Sequence, residues 1–308
     1  MHPPEQHTHA HNTSKVLRIS LGVTLAYIAL LVVAGVRAHS LALLSEAGHN
    51  VSDFLALLLS LFAVYIQARP PSSTHTYGYD RAGVLAALAN SVMLVLISFY
   101  IFSEAFARLY SPVEVQPVVM IWASGAGVLI NGFIAIMIWR AHGDVNMRSV
   151  LLHELGDTLS TAAVMVGGWA IMVTGQAWID AALSVGIGAL ILWSSLGIIR
   201  ETMNILLEGS PRGMEVARVN QAIRGVGGVQ DVHDLHIWSI GSDTHALSCH
   251  ITIEDIPPSA SERILRDVKD ILRERFRINH TTVQFEHVVC DVAHGCIVPT
   301  RDSQGHVH

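Results

Sequence analysis

Residues 47–64 read AGHNVSDFLALLLSLFAV, and residues 151–173 read LLHELGDTLSTAAVMVGGWAIMV. Each stretch sets a histidine and an aspartate four positions apart, His49 with Asp53 and His153 with Asp157, and then continues through apolar residues. On a helix, residues four apart share one face, with their β-carbons roughly 5–6 Å from each other. Each pair is therefore a two-pronged claw. A carboxylate deep in a bilayer costs about 2.5 kcal/mol or more, so an ionisable group inside an apolar span is a functional candidate. One such pair alone reads equally well as two polar heads reaching the interface from a helix end. Its repetition at identical spacing, each time with further apolar turns beyond, argues for a shared purpose.

The composition places both claws in a membrane. Hydrophobic residues make up 51% of the chain and charged residues 14%, with a mean hydropathy of +0.44. Soluble domains carry roughly 25% charged residues, so much of this chain is built for lipid. Ile19–Val36, Ser40–Ile66, Val84–Phe106, Val113–Trp139, Ser149–Val173 and Trp178–Ile199 are apolar stretches near the ~20 residues that cross a hydrocarbon core as a helix. The first begins too late, and lacks the small-residue cleavage site, to be a removable signal peptide. From Leu207 onward charged residues crowd together, as in ERILRDVKDILRERFR (262–277), and Gly209-Ser210-Pro211 marks a boundary. The expected layout is a His-containing tail (1–15), a spanning domain of six helices (16–208), a soluble domain (209–289) and a Cys/His-containing tail (290–308). Lys15, Arg18, Arg69, Arg81, Arg140, Arg148 and Arg200 fall on one side of the membrane, Arg37 and Arg108 on the other. By the positive-inside rule the richer side is cytoplasmic, and both termini with it.

Brought together by helix packing, the claws supply two imidazole nitrogens and two carboxylate oxygens, a tetrahedral set suited to Zn²⁺. An all-oxygen set would favour Mg²⁺ or Ca²⁺, and a thiolate set Cu(I). Ala47, Gly48, Ser52, Gly156, Thr158, Ser160 and Thr161 flank the claws, and small residues let spanning helices approach closely. Metal binds neutral imidazole and ionised carboxylate, so loading releases protons and unloading takes them back. His49 and His153 are the expected proton carriers, because imidazole titrates in the physiological range.

The soluble part alternates. DVHDLHIWSI (231–240) puts His233, Leu235 and Ile237 on one strand face and His236 and Trp238 on the other. HALSCHITI (245–253) gives an apolar face of Leu247, Cys249, Ile251 and Ile253, with core packing the natural place for Cys249; TTVQFEHVV (281–289) opposes Thr282, Gln284 and Glu286 to Val283 and Phe285. With helices near Met214–Arg224 and Glu262–Arg277, the order αββαβ predicts a compact α+β layer. The three cysteines, Cys249, Cys290 and Cys296, form no disulfide framework; an odd count in a reducing compartment points to free thiols or metal ligands.

The segments SLALLSEAGHNVSDFLALLLSL, HTYGYDRAGVLAALAN, LLHELGDTLSTAAVMV and LLEGSP together resemble the signature segments of the cation diffusion facilitator family, and the paired HxxxD arrangement is similar to its zinc-transporting branch. The likeness runs from Val16 to about His287. It implies a homodimer with six transmembrane helices per protomer and a cytoplasmic metallochaperone-like domain. It further implies export of Zn²⁺, with Cd²⁺ or Co²⁺ as further cargo, in exchange for protons across the cell inner (plasma) membrane. The transport-site ligands then fall on His49, Asp53, His153 and Asp157. His233, His250 and Glu286 match positions that bind cytoplasmic zinc in the family, as a regulatory ligand, and Gln284 lies where relatives can carry a histidine. His75, in the loop after the second span, matches one ligand of another zinc site, but Tyr79 and Gly83 stand where companions are expected. The implied partners are a second copy of the chain, divalent metal ions, protons and the lipid bilayer, with no nucleic acid.

Other residues carry open readings. Cys290, His294 and Cys296 either form an auxiliary metal clip or bind nothing, and His2, His7, His9 and His11, in a segment without apolar periodicity, either gather metal loosely or are inert. Glu104 and Arg108, four apart, are expected to pair. Asn90 and Asn131 are expected as interhelical hydrogen-bond partners, Glu46 as part of an outward gate, Trp178 as an interfacial anchor and Asp180 as a helix-start residue. The rival functions are transport of Co²⁺, Ni²⁺, Fe²⁺ or Mn²⁺ and an intramembrane zinc enzyme. The enzyme needs an open coordination position and a nearby base. No HExxH occurs, and Glu154 points about 100° away around the helix from His153, so the chain is expected not to be an enzyme.

Overall fold

Serine and threonine share the centre of the helical half of this protein with leucine and alanine. The computed structural model describes residues 6–67, 69–140, 145–242 and 244–287. Six helices come first: α1 (Gln6–Ala38), α2 (Leu41–Gln67), α3 (Arg81–Tyr110), α4 (Pro117–Arg140), α5 (Val145–Thr174) and α6 (Trp178–Leu206). Ser45, Ser52, Ser98, Ser124, Thr161, Ser184 and Ser195 are fully buried among them, while Leu129, Leu159, Leu190 and Trp193 stand exposed. That pattern inverts a water-soluble core and suits a bundle whose solvent is lipid, where small residues make the helix contacts. Most of these hydroxyls are satisfied within their own helix, as in Ser45 to the Leu41 carbonyl (2.8 Å) and Ser98 to the Leu94 carbonyl (2.9 Å). Among the described residues, Leu41–Gln67, Arg81–Tyr110, Pro117–Met137, Glu154–Thr174 and Trp178–Leu206 are long and apolar enough to cross a membrane, and Gly22–Ala38 of α1 is a shorter apolar stretch.

Helix boundaries differ from the sequence expectation at several points, three of them helix starts marked by the local sequence or reaching well beyond the apolar span. Helix α1 starts at Gln6, so the backbone of the N-terminal segment is helical well before the apolar span begins. Helix α4 starts at Pro117 rather than Val113, because proline suits the first helical position, where no N–H is needed. The preceding residues form no helix, with Val115 buried and the Gln116 N–H donating to the Ala38 carbonyl at 2.9 Å. The last helix begins at Pro258 rather than Glu262 for the same reason.

By compactness the chain forms two units: the described residues to Leu61 with Ala87–Ile199, and Phe62–Ala86 with the described residues from Arg200 onward. In the first, α4 packs along α5 and α1 along α4. The start of α2 is tied to α6 by Asp180, which is 1% exposed. Its carboxylate accepts from Ser40 Oγ (2.6 Å) and from the backbone N–H of Leu41 (2.7 Å) and Ala42 (3.3 Å). Asp180 thus caps α2 from a distant part of the chain, doing for its orphan amides what a local N-cap would do. Arg108 completes the knot, with Nη1 3.5 Å from Asp180, Nε 3.1 Å from Glu104 and Nη1 donating to the His39 carbonyl at 2.6 Å. The expected Glu104–Arg108 pair is present. Asp180 lies in the first turn of α6 as expected, but its work is done on α2.

The second unit holds the α+β layer: α7 (Val216–Arg224), β1 (Val229–Ser239), β2 (His245–Ile253), α8 (Pro258–Phe276) and β3 (Ile278–Glu286). The sheet order is β1-β2-β3, with β1 antiparallel and β3 parallel to β2. The parallel pair requires a crossover, which α8 supplies. Val219 and Ile223 of α7 and Ile264, Val268 and Leu272 of α8 bury one sheet face against Leu247, Cys249, Ile251 and Ile253. Strand β1 departs from simple alternation. His233 pairs with His250 and His236 with Ser248, so β1 spends one residue more than β2 over this step, and Asp234 takes φ +48°. This bulge turns His233 onto the face shared by His236, His250 and Ser248, opposite Ile237. The sequence expectation of His233 on the Leu235–Ile237 face is corrected accordingly, since one extra residue inverts every side chain beyond it.

Asp180→Ala is expected to lower the stability of the detergent-solubilised protein by about 2–4 kcal/mol, because it strands the Leu41 amide, the Ser40 hydroxyl and the Arg108 guanidinium. Asp180→Asn, which keeps an acceptor, should lose less. Thermal melts of the two variants beside the parent check this order.

Candidate metal centres

Helices α2 and α5 meet through their polar faces. His49 Nε2 lies 3.1 Å from Asp157 Oδ1 and 3.5 Å from Asp53 Oδ2. Ligand atoms of His49, Asp53 and Asp157 all fall within 4.8 Å of one another. Two carboxylates from separate helices thus converge on one imidazole nitrogen. Positive charge between them offsets their repulsion, either a proton on that nitrogen or a metal ion in its place. His153 stands on α5 one turn before Asp157; its side chain lies outside the described residues.

Neighbouring polar groups fix the helix positions. Ser52 and Asn90 exchange a hydrogen bond between α2 and α3 beside Asp53, with Asn90 Nδ2 to Ser52 Oγ at 3.0 Å, in the interhelical role expected of Asn90. One turn toward the start of α2, the fully buried Glu46 accepts from Thr161 Oγ1 at 2.5 Å and Ser160 Oγ at 3.1 Å on α5. The Thr161 hydroxyl also lies 2.8 Å from the Asp157 carbonyl. Sequence reasoning placed Glu46 near the claw but had no signal for its partners, which lie on another helix.

A second cluster forms on the polar face of the sheet. Glu286 divides its carboxylate between two imidazoles: Oε2 is 3.1 Å from His233 Nε2 and Oε1 is 3.0 Å from His250 Nδ1. The two rings lie edge to face, 5.5 Å between centroids. Gln284 Nε2 donates to Glu286 Oε1 at 3.0 Å. Two acids unforeseen from the sequence stand behind the histidines. Asp231 Oδ2 is 3.6 Å from His233 Nδ1, and Asp234 reaches both His250 Nε2 (3.6 Å) and His236 Nε2 (2.7 Å). Carboxylates behind ligating imidazoles fix the ring orientation and raise basicity. The bulge supplies the geometry, because without it His233 would face the helices.

The remaining candidates lie apart. His75 is on an exposed loop, its ring stacked on Tyr79 at 4.6 Å and Nδ1 3.1 Å from Thr74 Oγ1; among the described residues it joins neither cluster. Cys290, His294 and Cys296 lie outside the described residues, as do the side chains of His7, His9 and His11. Cys249 is buried, and burial first, then the nearby Asp234 charge, pushes its thiol up to about 12.

A bundle of spanning helices with a cation-attracting cluster between two of them, followed by a small metal-competent domain, defines an ion-handling membrane protein. Residues 17–207 match the family model described as cation efflux transmembrane domain, and residues 211–288 the one described as cation efflux protein, cytoplasmic domain. The chain is 36% identical over 286 residues to a cadmium, cobalt and zinc/H⁺-K⁺ antiporter of Bacillus subtilis, covering 90% of this chain and 91% of that protein. It is 34% identical over 288 residues to the metal cation efflux system protein CzcD of Cupriavidus metallidurans, covering 93% and 91%. With the zinc transporter ZitB of Escherichia coli it shares 32% identity over 298 residues, covering 92% and 93%. The chain belongs to the cation efflux, or cation diffusion facilitator, family, as its signature segments indicate. These are multi-pass membrane transporters and not enzymes, which disposes of the metalloenzyme reading.

With its thiol pushed up to about 12, Cys249 stays protonated at ordinary pH, and the thiolate is the reactive form. In a Cys290→Ser, Cys296→Ser variant, a thiol reagent at pH 8 should label nothing until denaturant is added. Rapid labelling of the folded protein would contradict the buried placement.

Proposed function

We propose that this chain is a homodimeric Zn²⁺/H⁺ antiporter of the inner (plasma) membrane, with both termini cytoplasmic, exporting Zn²⁺ and also Cd²⁺ or Co²⁺ from the cytoplasm. The observation that carries the proposal is the convergence of Asp53 and Asp157 on His49 Nε2 between two apolar helices. Proton and metal compete there for one nitrogen lone pair, so loading the ion expels the proton and a returning proton expels the ion. Asp53 and Asp157 supply oxygens, and His153, four residues before Asp157, is the natural fourth ligand of a tetrahedral Zn²⁺. The names of relatives that handle zinc, cadmium, cobalt and protons support the same cargo and coupling. The distribution of basic residues supports the orientation.

His233, His250 and Glu286 bind a second Zn²⁺ in the cytoplasmic domain. Metal there ties β1 and β2 to β3 through Glu286 and reports the cytoplasmic zinc level to the transporter.

Reconstituted in vesicles with a pH gradient, the parent should move zinc and protons in opposite directions. Asp157→Ala should reduce zinc flux by about 100-fold or more, because it leaves the remaining buried groups of the site without their partner. Zinc flux without counter-moving protons would exclude an antiporter. Glu286→Ala should leave flux at saturating zinc intact and raise the zinc concentration needed for half-maximal rate; an unchanged zinc dependence would remove the regulatory role.

A further inference from the structure

The polar groups of the α2–α5 contact do not end at the metal cluster. They repeat one turn away, and nothing in the transport chemistry derived above uses them. Glu46 precedes His49 by three residues on the same face of α2, and Thr161 follows Asp157 by four on the same face of α5. The helices run antiparallel here, so the second tier lies about 5 Å from the first along the bundle. It consists of the Glu46 carboxylate, which is 0% exposed, with Ser160 Oγ and Thr161 Oγ1 donating to it.

Tyr27 of α1 adds a fourth oxygen. The residue is 3% exposed and its hydroxyl has no hydrogen-bond partner among the described residues. Thr161 is its polar neighbour, and the Glu46 charge lies within electrostatic reach. Gly127 makes room for it: a Cβ there would stand 1.8 Å from Tyr27 Oη and 2.8 Å from the Thr161 methyl. A buried hydroxyl left unpaired costs free energy, and this one lies beside Thr161, whose own hydroxyl already serves the Glu46 carboxylate. A cation among these oxygens would give the Tyr27 hydroxyl a partner and engage all four groups.

We propose that Glu46, Ser160, Thr161 and Tyr27 form a second, all-oxygen station for the exported divalent cation, on the outer side of the His49–Asp53–Asp157 cluster. This rests on the reading of that cluster as the transport site, with α2 starting at the outer face. Side-chain exposure falls from 39% at Asp53 through 21% at His49 to nothing at Glu46, so the state seen here is sealed on the Glu46 side. To leave, the ion must pass Glu46. As it arrives, the Ser160 and Thr161 hydroxyls rotate their protons away and offer lone pairs instead. One carboxylate and three neutral oxygens hold a zinc-like ion less firmly than imidazole with two carboxylates. The tier therefore passes the ion outward rather than storing it.

The test uses the full-length protein, with zinc affinity measured at equilibrium in detergent and zinc efflux in vesicles. Glu46→Gln keeps the shape and an acceptor for both hydroxyls but removes the charge. It should bind zinc within about threefold of the parent while exporting it about tenfold more slowly or worse. Glu46→Asp should recover part of the rate. Tyr27→Phe removes only a hydroxyl that bonds nothing in the sealed state, so a packing role would leave the rate unchanged, whereas the station requires slower efflux at unchanged affinity. A parent-like rate in either Glu46→Gln or Tyr27→Phe overturns the proposal. So does a fall in affinity that matches the fall in rate, because Glu46 would then only shape the inner site. Asp157→Ala separates the two levels: if it still binds and exports zinc, the transport-site reading fails, whatever Glu46→Gln does.

Discussion

Two aspartates brought within a few ångströms of each other between apolar helices repel, and positive charge placed between them offsets that repulsion. In this protein His49 Nε2 occupies that point, with Asp157 and Asp53 on either side. The need for a cation there is electrostatic and does not depend on which cation supplies it. A proton on the imidazole satisfies it, and a divalent ion satisfies it better, since it engages both carboxylates at once. Exchange between the two is the simplest chemistry the site allows, and the alternation of a transporter can be driven by it.

Much of the surrounding structure makes this placement tolerable. Small buried residues let the helices close, with several hydroxyls turned back onto carbonyls of their own helix. Asp180 caps α2 from α6 and fixes the start of the helix that carries His49. Glu46 joins α2 to α5 one turn from the cluster. These are separate ties from α2, one to α6 and one to α5, so the positions of the cluster residues are set by more than their own contacts.

The approach of His49 and Asp53 to Asp157 was legible in the sequence because four-residue spacing is the helical period and the surroundings are largely apolar. The six spans and the αββαβ order followed from hydropathy and alternation for the same reason. What escaped was non-local. Asp180 reads as a helix-start residue until Ser40 is seen beside it, and nothing in the local sequence names Ser160 or Thr161 as the partners of Glu46. The bulge at Asp234 was invisible to an alternating pattern, since a single residue in left-handed conformation shifts the phase without changing the composition. Yet the bulge decides whether His233 meets His250 and Glu286. Pro117 and Pro258 did carry local information, and weighing them as first-turn residues would have placed both helix starts correctly.

The most direct test of a single ion shared by α2 and α5 is X-ray absorption at the zinc edge, on protein whose His233, His250 and Glu286 are replaced by alanine. The account predicts a four-coordinate shell of mixed nitrogen and oxygen at about 2.0–2.2 Å, lost or rebuilt when Asp157 is also removed. A six-coordinate all-oxygen shell, or a spectrum indifferent to Asp157, would contradict it.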